Sequence, residues 1–166
     1  VKDAALFVAR SRARSSAEDS AGALADLNEA LALDPKNTDY LRDRAGALEL
    51  LKRWKDAIVD RTALLDLKPD ASSFSMRGAD YVELKDWAHA FGDFDKAIAL
   101  QPDDADYYYD RAVAYRKNGQ KEKALADFRK ARTLSPDYPE IAADLWNEAA
   151  LEKVRHNLSH MMRGLR

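Results

Sequence analysis

Along the chain, apolar residues fall at helical spacing in short stretches, separated by polar and turn-forming residues. The pattern predicts helices at 3–16, 20–33, 38–51, 54–67, 71–84, 87–100, 105–118, 121–134 and from 138 to about 162, joined by short turns. Four prolines punctuate it. Pro35, Pro69, Pro102 and Pro136 lie 34, 33 and 34 residues apart, and each follows a predicted helix that it could not itself continue. A leucine stands two residues before every one of them: Leu33, Leu67, Leu100 and Leu134. Spacing this regular marks an internal repeat.

Counted back from the prolines, the same packing positions recur. Twelve residues earlier stand Ala23, Ala57, Ala90 and Ala124, small enough to let two helices approach closely. Five residues earlier stand Ala30, Ala97 and Ala131, with Leu64 breaking the series. Bulky residues fall 28 before each proline (Phe7, Leu41, Phe74, Tyr108), and Leu48, Tyr81 and Tyr115 fall 21 before, where the first repeat has Arg14. These positions predict the core of the first helix of each pair.

The third and fourth repeats carry the fullest pattern: Phe74, Gly78, Tyr81, Ala90, Phe94, Ala97, Pro102, then Tyr108, Ala112, Tyr115, Ala124, Phe128, Ala131, Pro136. In this succession residues 4–136 resemble the tetratricopeptide repeat family. The second repeat departs from the pattern at Arg61 and Leu64, and the first at Arg14. The resemblance implies an all-α fold: a right-handed superhelical solenoid of about four helix-turn-helix repeats, near 4–37, 38–70, 71–104 and 105–138, closed by a capping helix over 138–162. It reads as a single domain over 1–166.

A second periodicity is one of charge. Arg10, Arg44, Arg77 and Arg111 each precede an aspartate by 16 residues: Asp26, Asp60, Asp93 and Asp127. An arginine on one helix meeting a carboxylate on the next, four times over, predicts a charge-assisted structural contact rather than a row of catalytic acids.

Positions that recur serve stacking, so recognition is expected where the repeats differ. The resemblance implies a concave groove lined by the first helix of each pair. Carried onto this chain it gives Asp39, Arg42, Asp43, Gly46, Glu49 and Leu50; Ser72, Ser75, Met76, Ala79, Val82 and Glu83; and Asp106, Tyr109, Asp110, Val113, Arg116 and Lys117. Gly46, Ala79 and Val113 occupy equivalent floor positions. Met76 and Tyr109 suit an anchor pocket, the alternative being that both pack against neighbouring helices. The co-chaperones of this family grip a terminal carboxylate with basic and amide groups at fixed groove positions. Here those positions hold Arg42, Gly46, Met76, Asp106 and Asp110, or in the other alignment Val8, Arg12, Asp43, Ser72 and Met76. No such clamp is expected, and six acids against three bases in the groove point to a protein or peptide partner with basic and apolar residues.

Composition narrows the alternatives. Lysine and arginine number 27 against 29 acids, a net charge of −2, which gives no footprint for nucleic acid or an anionic membrane. No apolar run is long enough to span a bilayer. With no cysteine, disulfides and thiolate metal sites are excluded, and the compartment stays open. Val1-Lys2-Asp3 reads as the start of a trimmed fragment. His156 and His160 have ligand spacing but no implied third ligand, and no phosphate loop or nucleophile motif is present. The expectation is therefore a binding protein, not an enzyme, with no cofactor.

The C-terminal stretch supplies the alternative. Pro139, Ile141, Leu145 and Ala149 suit a cap on the fourth repeat. Leu151, Val154, Leu158, Met161 and Leu165 continue as an offset stripe whose candidate covers are a second copy of the chain, the next helix of a longer protein or the chain's own groove; the first would give self-association into a homo-oligomer.

Overall fold

The computed structural model describes residues 3–137. Eight helices form among them: α1 (Ala4–Ser16), α2 (Ser20–Leu33), α3 (Thr38–Leu50), α4 (Trp54–Leu67), α5 (Ala71–Glu83), α6 (Trp87–Leu100), α7 (Ala105–Lys117) and α8 (Lys121–Leu134). They pair as α1/α2, α3/α4, α5/α6 and α7/α8. The expected capping helix, and with it Leu151, Val154, Leu158, Met161 and Leu165, lies outside the described residues.

Local chemistry explains the boundaries. Six helices begin at an aspartate or asparagine whose side chain accepts from a first-turn N–H: Asp3, Asp19, Asn37, Asp70, Asp86 and Asp104. The first helix of each pair stops at one recurring turn. Glu18, Lys52, Lys85 and Gly119, equivalent residues of the four repeats, all adopt positive φ, at 62°, 57°, 58° and 76°. The following N–H reaches back five residues in every case, as Asp19 to Arg14, Arg53 to Leu48, Asp86 to Tyr81 and Gln120 to Tyr115. This is a Schellman turn, which satisfies the last carbonyls and reverses the chain. It also ends α3, α5 and α7 one residue sooner than the apolar pattern predicts.

The chain divides into two compact units, Val1–Pro102 and Asp103–Arg166. In the first, α1 to α6 pack in series, each against the next. Ala23, Ala57 and Ala90 are wholly buried, and Val8, Leu24, Leu27, Ala30, Ala45 and Leu48 form the core of its first half. Leu64, which breaks the small-residue series, is buried against Leu31 and Leu41. At Gly78 α5 lies tight against α6: a Cβ there would lie 3.1 Å from Phe94 and 3.2 Å from the Ala90 carbonyl. The second unit packs α7 on α8 around Ala112, Ala124 and Phe128.

All four arginine–aspartate contacts form. Nε of Arg10, Arg44, Arg77 and Arg111 donates to Asp26, Asp60, Asp93 and Asp127 at 2.9, 2.8, 2.7 and 2.7 Å, and in each pair a second guanidinium nitrogen donates to the other carboxylate oxygen. The acids are buried. Arg44 and Arg77 reach further, each donating to a polar side chain on the second helix of the preceding pair: Asn28 at 3.0 Å and Thr62 at 2.9 Å. One guanidinium thus closes its own pair and ties it to the one before. Arg14, the odd residue of the first repeat, supplies a third donor to Asp26 at 2.9 Å.

Candidate functional site

One ion pair links the first helices of the first two pairs. Arg12 on α1 donates to Asp43 on α3, at 3.1 Å from Nε and 3.0 Å from its terminal nitrogen. The repeat-equivalent positions at the next joint, α3 to α5, are Gly46 and Met76. A Cβ on Gly46 would meet nothing within 4 Å, and Met76 is 42% exposed. Where the first joint carries an ion pair, the equivalent residues of the second are an uncrowded glycine and an exposed thioether. Ala79, one turn further along α5, is exposed as well, and so is Leu50 at the end of α3.

The acids of this face are less available than their number suggests. Asp39 accepts from Arg42 at 2.9 Å, Asp43 from Arg12, and Glu49 from Arg61 at 2.7 Å. Arg12 and Arg61 lie on helices other than α3 and fall outside its charge count, so the acidic excess of α3 is largely cancelled locally. Glu83 and Ser72 are exposed, whereas Ser75 and Val82, expected on the face, are buried in α5.

In the second unit, Asp106 and Asp110 are exposed on α7, and Val113 and Arg116 are half-buried. Tyr109 is half-buried too, its ring edge-on to Phe128 at 5.3 Å between centroids. Of the two expected anchors, Met76 stands out to solvent while Tyr109 packs within its own pair.

Arg61, Asp80 and Glu49 form a cluster that the sequence pattern did not bring together. Arg61 on α4 is 3% exposed and bonds both Asp80 on α5, itself fully buried, and the partly exposed Glu49 on α3. Burial pushes the Asp80 carboxyl up to about 7, with Glu49 adding like charge and Arg61 opposing. Alignment of neighbouring repeats carries the signal. Arg61 occupies the position of Leu27, Phe94 and Phe128, and Asp80 that of Ala13, Ala47 and Ala114.

His89 hydrogen-bonds Asp86 at 2.7 Å and stacks on Tyr81. Among the described residues, no three His, Cys, Asp or Glu side chains gather as a metal site, and no helix is long and apolar enough to cross a membrane.

Repeated helix pairs of this length, closed by one recurring turn and stapled at one recurring ion pair, define a helical-repeat protein of the interaction-scaffold class. Two family models, both described as tetratricopeptide repeat, match residues 8–72 and 94–126. The chain belongs to the tetratricopeptide repeat family. Among curated proteins it is 32% identical over 120 residues to an Hsp70-Hsp90 organizing protein of Triticum aestivum, covering 72% of this chain and 18% of that protein. It is 26% identical over 116 residues to Tetratricopeptide repeat protein 13 of Homo sapiens, covering 70% of this chain and 14% of that protein. The chain thus spans less than a fifth of either relative. Solved structures share the fold. MamA 41-end from Desulfovibrio magneticus RS-1 matches with a TM-score of 0.73 at 23% identity over 97% of this chain and 96% of that one. YrrB, described as a TPR protein with an unusual peptide-binding site, matches with a TM-score of 0.67 at 21% identity over 81% of this chain and 70% of that one.

Proposed function

We propose that this protein-interaction scaffold binds an extended or helical segment of a partner protein along the first helices of its first unit, with an apolar side chain of the partner seated between Gly46 and Met76. The observation that carries this reading is the change of chemistry between equivalent positions, from the Arg12–Asp43 ion pair to an uncrowded Gly46 and an exposed Met76. An anchor of this kind supplies affinity, and the polar surroundings supply choice of partner. Asp39, Arg42, Asp43, Glu49, Ala79 and Glu83 would border the segment, and Asp106, Tyr109, Asp110, Val113 and Arg116 are the corresponding candidates on α7. Because Asp39, Asp43 and Glu49 already hold arginines, apolar contact leads and attraction for basic residues is secondary.

One relative is named for organising two chaperones, and the chain is not expected to share a carboxylate-gripping mode. Two acids, Asp106 and Asp110, fall at clamp positions in one alignment and would repel a carboxylate. An acidic C-terminal peptide titrated by fluorescence polarisation should give no saturable signal.

The groove itself is tested with a displayed random-peptide library selected on the wild-type chain. Selected peptides should share an apolar anchor residue and lose binding to Gly46→Trp and Met76→Glu while the circular dichroism of both variants stays helical. Selected peptides that bind those variants as well as wild type would refute the placement.

A further inference from the structure

The Glu49–Arg61–Asp80 cluster is not explained by partner binding. Elsewhere the two core positions hold apolar side chains: Leu27, Phe94 or Phe128 in place of Arg61, and Ala47 or Ala114 in place of Asp80, all buried. The second and third pairs have exchanged both at once. One cation, buried at 3% exposure, is matched to a carboxylate with no exposure at all and to another on a third helix. The charges do not balance, since two carboxylates share one guanidinium. Asp80 Oδ1 is buried and receives no donor, whereas its other oxygen takes the Arg61 bond. An oxygen in that position can be satisfied by carrying a proton itself.

We propose that this cluster is a proton-controlled joint between the second and third helix pairs, locked when Asp80 carries a proton and loosened when it does not. With the proton, the cluster is neutral, and the Asp80 O–H has the Glu49 carboxylate as its acceptor. Without it, α3, α4 and α5 are held around an uncompensated negative charge in the core.

The surroundings leave Asp80 facing few charges. Arg61 approaches from α4 and Glu49 from α3. On α6, which meets α5 through Ala90 and Phe94, Asp93 is held by Arg77, and Lys96 lies near Asp93 and over the Phe74 ring. The sign follows from the raised carboxyl. The folded chain binds a proton that the unfolded chain releases, so the joint is at full strength below about pH 4, weakens as pH rises, and is fully weakened above about 7. Its control range therefore ends near neutrality.

Asp80→Asn imitates the protonated state, because the amide still accepts from Arg61 and offers an N–H on its other side. Urea unfolding of the full chain and of Asp80→Asn is compared from pH 5 to 8. Relative to the variant, the wild-type unfolding constant should rise roughly tenfold per pH unit up to about pH 7 and then level off. A double variant with the residues of the other repeats, Arg61→Phe with Asp80→Ala, should lack this slope too. The carboxyl carbon of Asp80, followed by NMR in wild type, gives a reading that needs no variant to fold. A midpoint within a unit of 7 supports the joint. A midpoint below 5, or wild type and Asp80→Asn running parallel across the range, overturns it. Hydrogen exchange locates the effect: α4 and α5 should lose more protection than α1 between pH 5 and 7, and a uniform loss over α1 to α6 also overturns the joint.

Discussion

Arg77 shows what a single side chain does in this architecture. Its guanidinium, 14% exposed, spans both oxygens of Asp93, touches Thr62 of the preceding pair and lies over the Phe74 ring. The hydrogen bond from Arg77 to Asp93 raises the arginine's pKa, so the charge is permanent. Asp93→Ala would strand that cation in a nearly dry setting and should lower stability by about 2–4 kcal/mol. Arg42→Ala removes an ion pair between exposed partners and should lower it by less than about 1 kcal/mol. Urea titrations of the two variants check the contrast. The staple was legible because the chain solves the same problem four times, and 16-residue spacing repeated in every unit admits few other readings. Arg61 was not legible in that way. It occurs once, its partner Asp80 is in the next repeat, and each looks like an isolated departure until neighbouring repeats are laid side by side.

Among the elements, the turn between paired helices is the most stereotyped. Four equivalent residues take left-handed φ, yet only Gly119 is suited to it without strain. Gly119→Ala should cost about 1 kcal/mol. Lys85→Gly trades left-handed strain for extra freedom in the unfolded chain, so it should leave stability unchanged or raise it by up to about 1 kcal/mol. Thermal melts of both variants decide this. Helix glycines divide similarly by surroundings. Gly46→Ala meets open space and should stabilise α3 by about 0.5–1 kcal/mol, whereas Gly78→Ala presses on Phe94 and the Ala90 carbonyl and should destabilise. Helix positions were readable to within a residue from apolar spacing and proline. The last residue of α3, α5 and α7 was missed because the turn that ends each is a backbone arrangement open to lysine as well as to glycine.

For the whole molecule, acid and neutral pH act on different carboxyl groups with opposite sign. Hydrogen bonding from Arg10 holds Asp26 below the usual carboxylate range, against the opposing effect of burial, so its contribution is intact above about pH 4 and is lost as pH falls further. Asp80 works the other way, from about 4 up to about 7. Melting temperature plotted against pH should therefore peak in the mildly acidic range and decline on both sides, and Asp80→Asn should flatten only the neutral side. The all-helical repeat fold was evident from periodicity and family resemblance together. The electrostatics of the candidate groove were less so. Counting charges on α3 missed Arg12 and Arg61, whose positions on neighbouring helices cancel that count.

Equivalent turns and staples would let one helix pair be cut out and another spliced in, like joined to like. The second and third pairs are the exception. A copy of the second placed beside any other neighbour would face an alanine and bring a cation into its interior with no acid from the next pair to meet it, so duplication or shuffling of this chain would have to move these two as one heritable block.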